Sequence, residues 1–305
     1  MRKRNGSGEI ELAAKIIDGR KLAAKLREAF ALRVQALEAS GACPPGLAVI
    51  LVGEDAASAV YVRNKIRACE ATGIKSVSHR LPSTVSNAEL LGMIVELNAD
   101  ADVHGILVQL PLPAHIDVAR VLETIAIEKD VDGFHLYNVG ALVAGNTVFP
   151  PCTPYGVVKL LESEGVSVEG QNVVIVGASN IVGKPMALML MARDATVAIC
   201  HAKTRDLAQF TILADILVVA AGVPNLILPQ MVKTGAIVID VGINRLPDGT
   251  ITGDVDFAGV AQKAAGITPV PGGVGPMTVT MLLENTIASA ERASVRQRLV
   301  EARHD

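Results

Sequence analysis

Between Lys15 and Ser40, apolar positions recur at helical spacing: Ile17, Leu22, Leu26, Phe30, Val34 and Leu37. The run starts at the Asp18-Gly19 turn and stops at Gly41, which predicts a first helix. Residues 47–52 are an unbroken aliphatic stretch closed by Gly53, short enough for a buried strand. The segment through Ser58, Tyr61, Lys65 and Cys69 to Gly73 then reads as a helix. Strand followed by helix opens an α/β unit. Residues 77–81 (strand), 87–97 (helix) and 105–108 (strand) repeat the alternation, and the last strand runs into Gln109-Leu-Pro-Leu-Pro113. A helix is expected near 117–125. No period is visible from Lys129 to Pro154, so that stretch reads as irregular.

A second series begins at residue 155. A helix (155–164) leads to an aliphatic strand (172–176), a turn Gly177-Ala-Ser-Asn-Ile-Val-Gly183, a helix (185–191) and further strands at 196–200, 216–220 and 236–241. Four strands at regular intervals with helices between them predict a parallel, dinucleotide-binding sheet. A closing helix is expected from Thr278 to about Arg296. The fold class is therefore α/β with two α/β domains, the second Rossmann-like. Residues 14–150, completed by a C-terminal helix at 278–300, form the first domain, and 151–277 form the second.

Composition narrows this reading. A chain of 305 residues with 50% hydrophobic content can bury two cores, and with only 3% aromatic residues and no Trp these cores are aliphatic, as buried parallel strands require. The balance of 28 basic and 31 acidic residues leaves no electrostatic footprint for nucleic acid. Cys43, Cys69, Cys152 and Cys200 are scattered and never form a C-x-x-C pair, which suggests reduced thiols in a cytoplasmic protein rather than a zinc site or disulfide framework. The basic start lacks the apolar core of a signal peptide, and no apolar run reaches membrane-spanning length. Residues 1–13 are expected to be a frayed extension. His79, His104, His115, His135 and His304 show no metal spacing and are expected to be structural or surface groups, so no metal is expected.

Several segments carry chemistry. Pro271-Gly-Gly-Val-Gly-Pro276 is rigid, side-chain-poor backbone in front of an apolar helix that Thr278 can cap; it reads either as a loop that admits a flat ligand or as a strand-ending turn. The turn 177–183 departs from G-x-G-x-x-G because Ser179 replaces the second glycine. Its setting between strand and helix suits a phosphate, and a tight turn without ligand is the other reading. No acid follows the next strand. His201-Ala202-Lys203-Thr204-Arg205 stands there instead, and its cations favour NADP over NAD unless they are merely solvated. Ser58, Tyr61 and Lys65 share one helix face, where a tyrosine can stack on a planar ligand and a desolvated lysine can act as a base; a solvated face is the alternative. Gln109 can hold such a lysine or end a strand, and Asp132 can bind the N–H groups of a heterocycle or cap the turn before Gly133.

Together, Tyr-Val-Arg-Asn-Lys (61–65), Val-Gln-Leu-Pro-Leu-Pro (108–113), Lys-Asp-Val-Asp-Gly-Phe-His (129–135), Pro-Cys-Thr-Pro (151–154), Gly-Ala-Ser-Asn-Ile-Val-Gly-Lys-Pro-Met (177–186), Asp-Val-Gly-Ile-Asn-Arg (240–245) and Pro-Gly-Gly-Val-Gly-Pro-Met-Thr (271–278) resemble the bifunctional methylenetetrahydrofolate dehydrogenase/cyclohydrolase family, from about Lys15 to Ala288. The resemblance implies oxidation of 5,10-methylenetetrahydrofolate by NADP and hydrolysis of the methenyl product to 10-formyltetrahydrofolate, in one cleft between two α/β domains of a homodimer. It implies that Lys65 is essential for hydrolysis, that Gln109 tunes it, that Tyr61 stacks on the folate and that Asp132 holds the pterin. Ser58, Pro271, Gly272 and Gly275 would line the folate site. Thr153, Gly177, Ala178, Ser179, Ala202, Ile243 and Thr280 would contact the cofactor. Many relatives carry Arg or Ser where Ala178 and Ala202 stand, so Lys203 or Arg205 is expected to take the 2′-phosphate. A monofunctional NAD-linked dehydrogenase of the same family is argued against by Lys65, Gln109 and Asp132 together. A ligand-binding regulator without turnover is the reading from another class.

Overall fold

The computed structural model describes residues 14–302. The expected N-terminal extension and His304 lie outside these residues. The chain opens with β1 (Lys15–Ile16) and α1 (Gly19–Ala39), the helix starting where the Asp18 carboxylate accepts from the Lys21 N–H at 3.0 Å. By contacts the chain divides into two compact units. One takes the residues up to Leu22 and Thr153–Thr278, the other Ala23–Cys152 and the residues from Val279 onward.

In the second of these units, β2 (Gly46–Val52), α2 (Ala56–Thr72), β3 (Lys75–Leu81), α3 (Asn87–Ala99), β4 (Gly105–Val108) and α4 (Val118–Thr124) follow the predicted alternation. The strands form a parallel sheet in the order β3-β2-β4. Every residue of β2 is buried, so its unbroken aliphatic run is what a central strand covered on both faces needs. Helix ends follow local chemistry. Asp55 caps α2, Gly73 ends it at φ 80°, and Ser86 with Glu89 forms a capping box on α3. Ile50, Leu90, Ile94 and Ile106 meet in the core, each worth roughly 1.5–3 kcal/mol of burial. The stretch expected to be irregular contains a helix, α5 (Leu136–Ala144). His135 caps it by accepting from the Tyr137 N–H, and Gly145 stops it in the left-handed region, so two weak local signals outweigh the missing period.

The other unit is built on α6 (Cys152–Ser163), β5 (Asn172–Val176), α7 (Gly183–Met191), β6 (Thr196–Cys200), α8 (Ala208–Thr211), β7 (Ile216–Val219) and β8 (Ile237–Asp240). A small antiparallel pair, β9 (Asn244–Arg245) and β10 (Ile251–Thr252), precedes α9 (Phe257–Val260) and β11 (Gly266–Ile267). Six strands form one parallel sheet in the order β1-β11-β8-β7-β5-β6, two more than the pattern predicts. β1 and β11 are too short to show a pattern. Because Lys15 and Ile16 pair with Gly266 and Ile267, the chain's first described residues belong with this sheet, where the sequence places them with the first domain. The final helix, α10 (Val274–Glu301), begins one turn earlier than expected. Pro276 falls in its first turn, where a missing N–H costs nothing, and Thr278 lies inside the helix rather than at its cap. None of the helices among the described residues is long and apolar enough to cross a membrane.

Candidate active site

On α2, the helical period places Ser58, Tyr61 and Lys65 along one face, and the face is not solvated. Ser58 is buried, Tyr61 half-buried, and Lys65 retains only 7% of its surface. Burial pushes the Tyr61 hydroxyl above its ordinary value, so it stays protonated at neutral pH. Lys65 Nζ donates to Gln109 Oε1 at 3.0 Å. The Gln109 amide is itself oriented, since its Nε2 donates to Leu110 O at 2.8 Å and turns the oxygen toward the lysine. Gln109 stands just past the carboxyl end of β4, the edge where parallel sheets present ligand-binding groups.

Asp132 joins this group electrostatically. Burial raises its carboxyl above the usual range, while the Lys65 charge and the neighbouring Cys152 thiol pull it back. The turn-capping role that competes for Asp132 belongs to its neighbour. Asp130, almost fully buried, accepts from the Phe134 N–H at 3.2 Å, the His135 N–H at 2.8 Å and Asn138 Nδ2 at 2.7 Å. Cys152 donates to Val131 O at 3.3 Å, and burial holds its thiol well above the ordinary value, so it is an inert packing group. Asn285 of α10 completes the wall: its Nδ2 bridges Val131 O at 2.8 Å and Pro150 O at 3.1 Å. Sequence reasoning passed over Asp130, Cys152 and Asn285 as site-building residues. Only the first has a local signal, the doubled acid before Gly133. A cavity of about 610 Å³ elsewhere in this unit, walled by residues such as His104, Lys129, Phe149 and Arg292, contains none of the expected site residues.

The six-stranded unit holds most of the expected cofactor residues. Gly177, at φ 126°, sits so close to Ala220 O that a Cβ would lie 2.1 Å from it, and a Cβ on Gly183 would meet Gly177 O at 1.9 Å. Both glycines are required by backbone packing. Ser179 Oγ accepts from the Val182 N–H at 3.1 Å and the Gly183 N–H at 3.4 Å, which caps the entry to α7. The N–H groups of Ala178, Ser179, Asn180 and Ile181 have no acceptor among the described residues, and this leaves a row of donors suited to a phosphate. After β6, the Thr204 hydroxyl accepts from the His201 N–H and His201 Nδ1 from the Lys203 N–H. This turn holds Ala202, Lys203 and Arg205 exposed, and neither cation is paired among the described residues. Donor row and free cations fit a phosphorylated dinucleotide.

Other placements differ in character. Ile243 is 47% exposed in the loop after β8, while Thr153 Oγ1 lies 3.0 Å from Thr278 Oγ1. Thr280 is fully buried, and its hydroxyl accepts from Arg27 Nε at 3.1 Å, so its polar group is used internally. In the loop after β11, Gly272 takes φ 118° and its carbonyl accepts from the Arg20 N–H at 3.1 Å, and a Cβ on Gly19 would strike Gly273 O at 1.8 Å. These glycines let the loop press against the start of α1. A Cβ on Gly275 would meet Ile243 at an ordinary contact distance of 3.9 Å, and Pro271 follows a cis peptide bond. Two of the expected structural histidines bond the backbone: His104 Nδ1 accepts from the Gly46 N–H, and His115 Nε2 bonds Val85 O. Among the described residues no cluster of His, Cys, Asp or Glu could hold a metal.

Fold and site define a two-unit α/β protein with one Rossmann-type parallel sheet and, in the other unit, a buried lysine with a glutamine and an aspartate beside it. Residues 17–132 match the tetrahydrofolate dehydrogenase/cyclohydrolase catalytic domain, and residues 151–294 match the NAD(P)-binding domain of the same family. The chain belongs to the tetrahydrofolate dehydrogenase/cyclohydrolase family. It is 59% identical to the bifunctional protein FolD of Nitrosospira multiformis over 93% of this chain and 99% of that protein. A crystal structure of the bifunctional FolD of Campylobacter jejuni superposes with a TM-score of 0.90 at 54% identity, covering 92% of this chain and 99% of that one. The Trypanosoma brucei enzyme, solved with NADP cofactor and an inhibitor, gives 0.89 at 41% identity, over 93% and 99%.

Proposed function

We propose that this protein is a bifunctional one-carbon folate enzyme: it oxidises 5,10-methylenetetrahydrofolate with NADP and hydrolyses the methenyl product to 10-formyltetrahydrofolate. The observation that carries the reading is the buried Lys65 Nζ, held at 3.0 Å by a Gln109 amide that is itself fixed. Hydrolysis adds water to the methenyl carbon, removes a proton from the adduct and returns one to the departing nitrogen, so it needs one basic group at a fixed place. Lys65 supplies that group and Gln109 aims it. Tyr61 offers its ring for stacking, and the Asp132 carboxylate, not consumed by the turn, accepts the pterin N–H groups. NADP, when bound, supplies the hydride acceptor; the donors of 178–181 hold its phosphates, and Lys203 and Arg205 its 2′-phosphate. Electron release from the folate nitrogens already favours hydride loss, so the protein's part in that step is positioning.

The unit built on β2–β4 thus handles folate and the six-stranded unit the dinucleotide. A homodimer is supported by β6, a terminal strand with Ile199 exposed on it and exposed Phe210, Ile212 and Leu213 soon after. The product would feed purine, methionine and histidine synthesis.

The test mixes protein, methylenetetrahydrofolate and either NADP or NAD, and follows NADPH and methenyltetrahydrofolate by absorbance. Lys65→Met is expected to abolish methenyl hydrolysis while dehydrogenation remains measurable. Unchanged hydrolysis in the folded variant would remove Lys65 from the mechanism.

A further inference from the structure

We propose that Asp240 and Asp254 are positioning residues for the hydride step: together they set the loop after β8, and with it Ile243, on the nicotinamide side of the cofactor site. The inference rests on the assignment of the dinucleotide to the six-stranded unit. Both carboxylates are out of solvent, Asp240 at 3% and Asp254 at 0% exposure, and neither has a cationic partner among the described residues. They are held by N–H donors alone. Asp240 accepts from the N–H groups of Gly242, Asp254 and Val255, each at 3.0 Å. Asp254 accepts from the N–H groups of Ala221 at 2.7 Å and Gly222 at 2.9 Å, and from Asn244 Nδ2 at 2.8 Å.

The donors belong to two loops at the carboxyl edge of the sheet, one after β7 and one after β8, and to the return segment 253–255. Gly242 and Asn244, the residues on either side of Ile243, are clamped by one acid each. The space is filled to match: a Cβ on Gly242 would fall 2.2 Å from the Asp254 carboxyl, and one on Gly253 1.9 Å from Asp240 Oδ2. In a sheet ordered β8-β7-β5-β6, the glycine turn after β5 and the cations after β6 take the phosphates and the adenosine end, which leaves the edge of β7 and β8 for the nicotinamide half. Burying two carboxylates without a cation is costly. A hydride transfer that loses rate steeply with sub-ångström displacement gives such a rigid clamp a use.

The experiment compares Asp254→Ala and Asp254→Asn with the parent. Three measurements are made: dehydrogenase kcat and KM with NADP, hydrolysis of added methenyltetrahydrofolate without cofactor, and calorimetric binding of the adenosine 2′-phosphate half of NADP. Asp254→Ala is expected to lower dehydrogenase kcat between about tenfold and a hundredfold, with hydrolysis and adenosine-half binding within twofold of the parent. Asp254→Asn keeps an oxygen for Ala221 and Gly222, and Asn244 can flip its amide to meet the new NH₂, so this variant should recover most of the rate. A dehydrogenase kcat within twofold of the parent in Asp254→Ala overturns the proposal. So does a parallel loss of adenosine-half binding or of hydrolysis, which marks a purely structural role. If Asp254→Ala does not fold, Asn244→Ala decides, since it removes only the hold of Asp254 on the residue after Ile243: a fall in kcat of several-fold confined to dehydrogenation supports the clamp, and parental kcat overturns it. A parent that neither binds the adenosine half nor reduces NADP overturns the functional assignment itself, and the clamp with it.

Discussion

Two aspartates separated by one residue show how differently the same side chain can be employed. Asp130 has its oxygens filled by three internal donors, whereas Asp132 lies beside the Cys152 thiol in the opposing fields of Lys65 and Asp130. Replacing Asp130 by Ala strands those donors in the interior and should cost on the order of 3 kcal/mol, read as a lower melting temperature. Asp132→Ala removes a carboxylate whose burial already disfavours its charge, so the fold should lose little. Folate affinity should fall and both activities with it, while NADP affinity holds. Calorimetric titration with folate beside a melting curve checks the pair; a large drop in melting temperature for Asp132→Ala with normal folate affinity would reverse the two roles. In sequence the two positions are indistinguishable, because which acid turns inward depends on where Asn138 and the N–H groups of Phe134 and His135 lie.

At the scale of elements, the turn after β6 is the proposed determinant of cofactor choice. His201 and Thr204 build it by bonding its backbone, and that frees Lys203 and Arg205 to point outward. Losing either cation should weaken NADP by about 1.5–3 kcal/mol, the worth of one charge-assisted contact, and leave NAD nearly unchanged. Equal weakening of both cofactors in Lys203→Ala and Arg205→Ala would show that the turn, not the charge, had been damaged. Strands and helices such as β2, α2, β4, β5 and α7 were legible beforehand because long aliphatic runs and helical periods record burial directly. The residues of α2 that share a face were legible for the same reason. β1, β11 and α5 were not, since two paired residues, or a helix set by a histidine cap and a glycine stop, leave almost no periodic trace. The Asp240–Asp254 clamp was equally hidden: its donors come from loops far apart in sequence, and nothing local marks a buried acid that is satisfied at long range.

Across the whole molecule, burial of Asp240 couples stability to pH. Its carboxyl is pushed up to about 6 from an ordinary 3.8, with burial as the chief cause. The folded state therefore holds this proton more tightly than the unfolded chain, so the site's contribution is fully present below the unfolded value and is lost as pH rises through about 6. The loss amounts to roughly 3 kcal/mol. In Asp240→Asn the melting temperature should change less between pH 4 and pH 6 than in the parent; identical slopes would assign that proton elsewhere. A different consequence follows from α10. Its residues Glu284 and Glu291 grip Arg33, Asn285 ties Val131 to Pro150, and Ser289 donates to Glu128 O, all within the unit whose other residues end at Cys152. On the ribosome those partners are made long before the helix they need, a wait on the order of ten seconds at ordinary rates of synthesis. During that interval the intervening unit can already fold, while the earlier one still lacks a wall. A nonsense mutation near residue 280 would thus harm most the unit whose other residues, 23–152, had been translated long before.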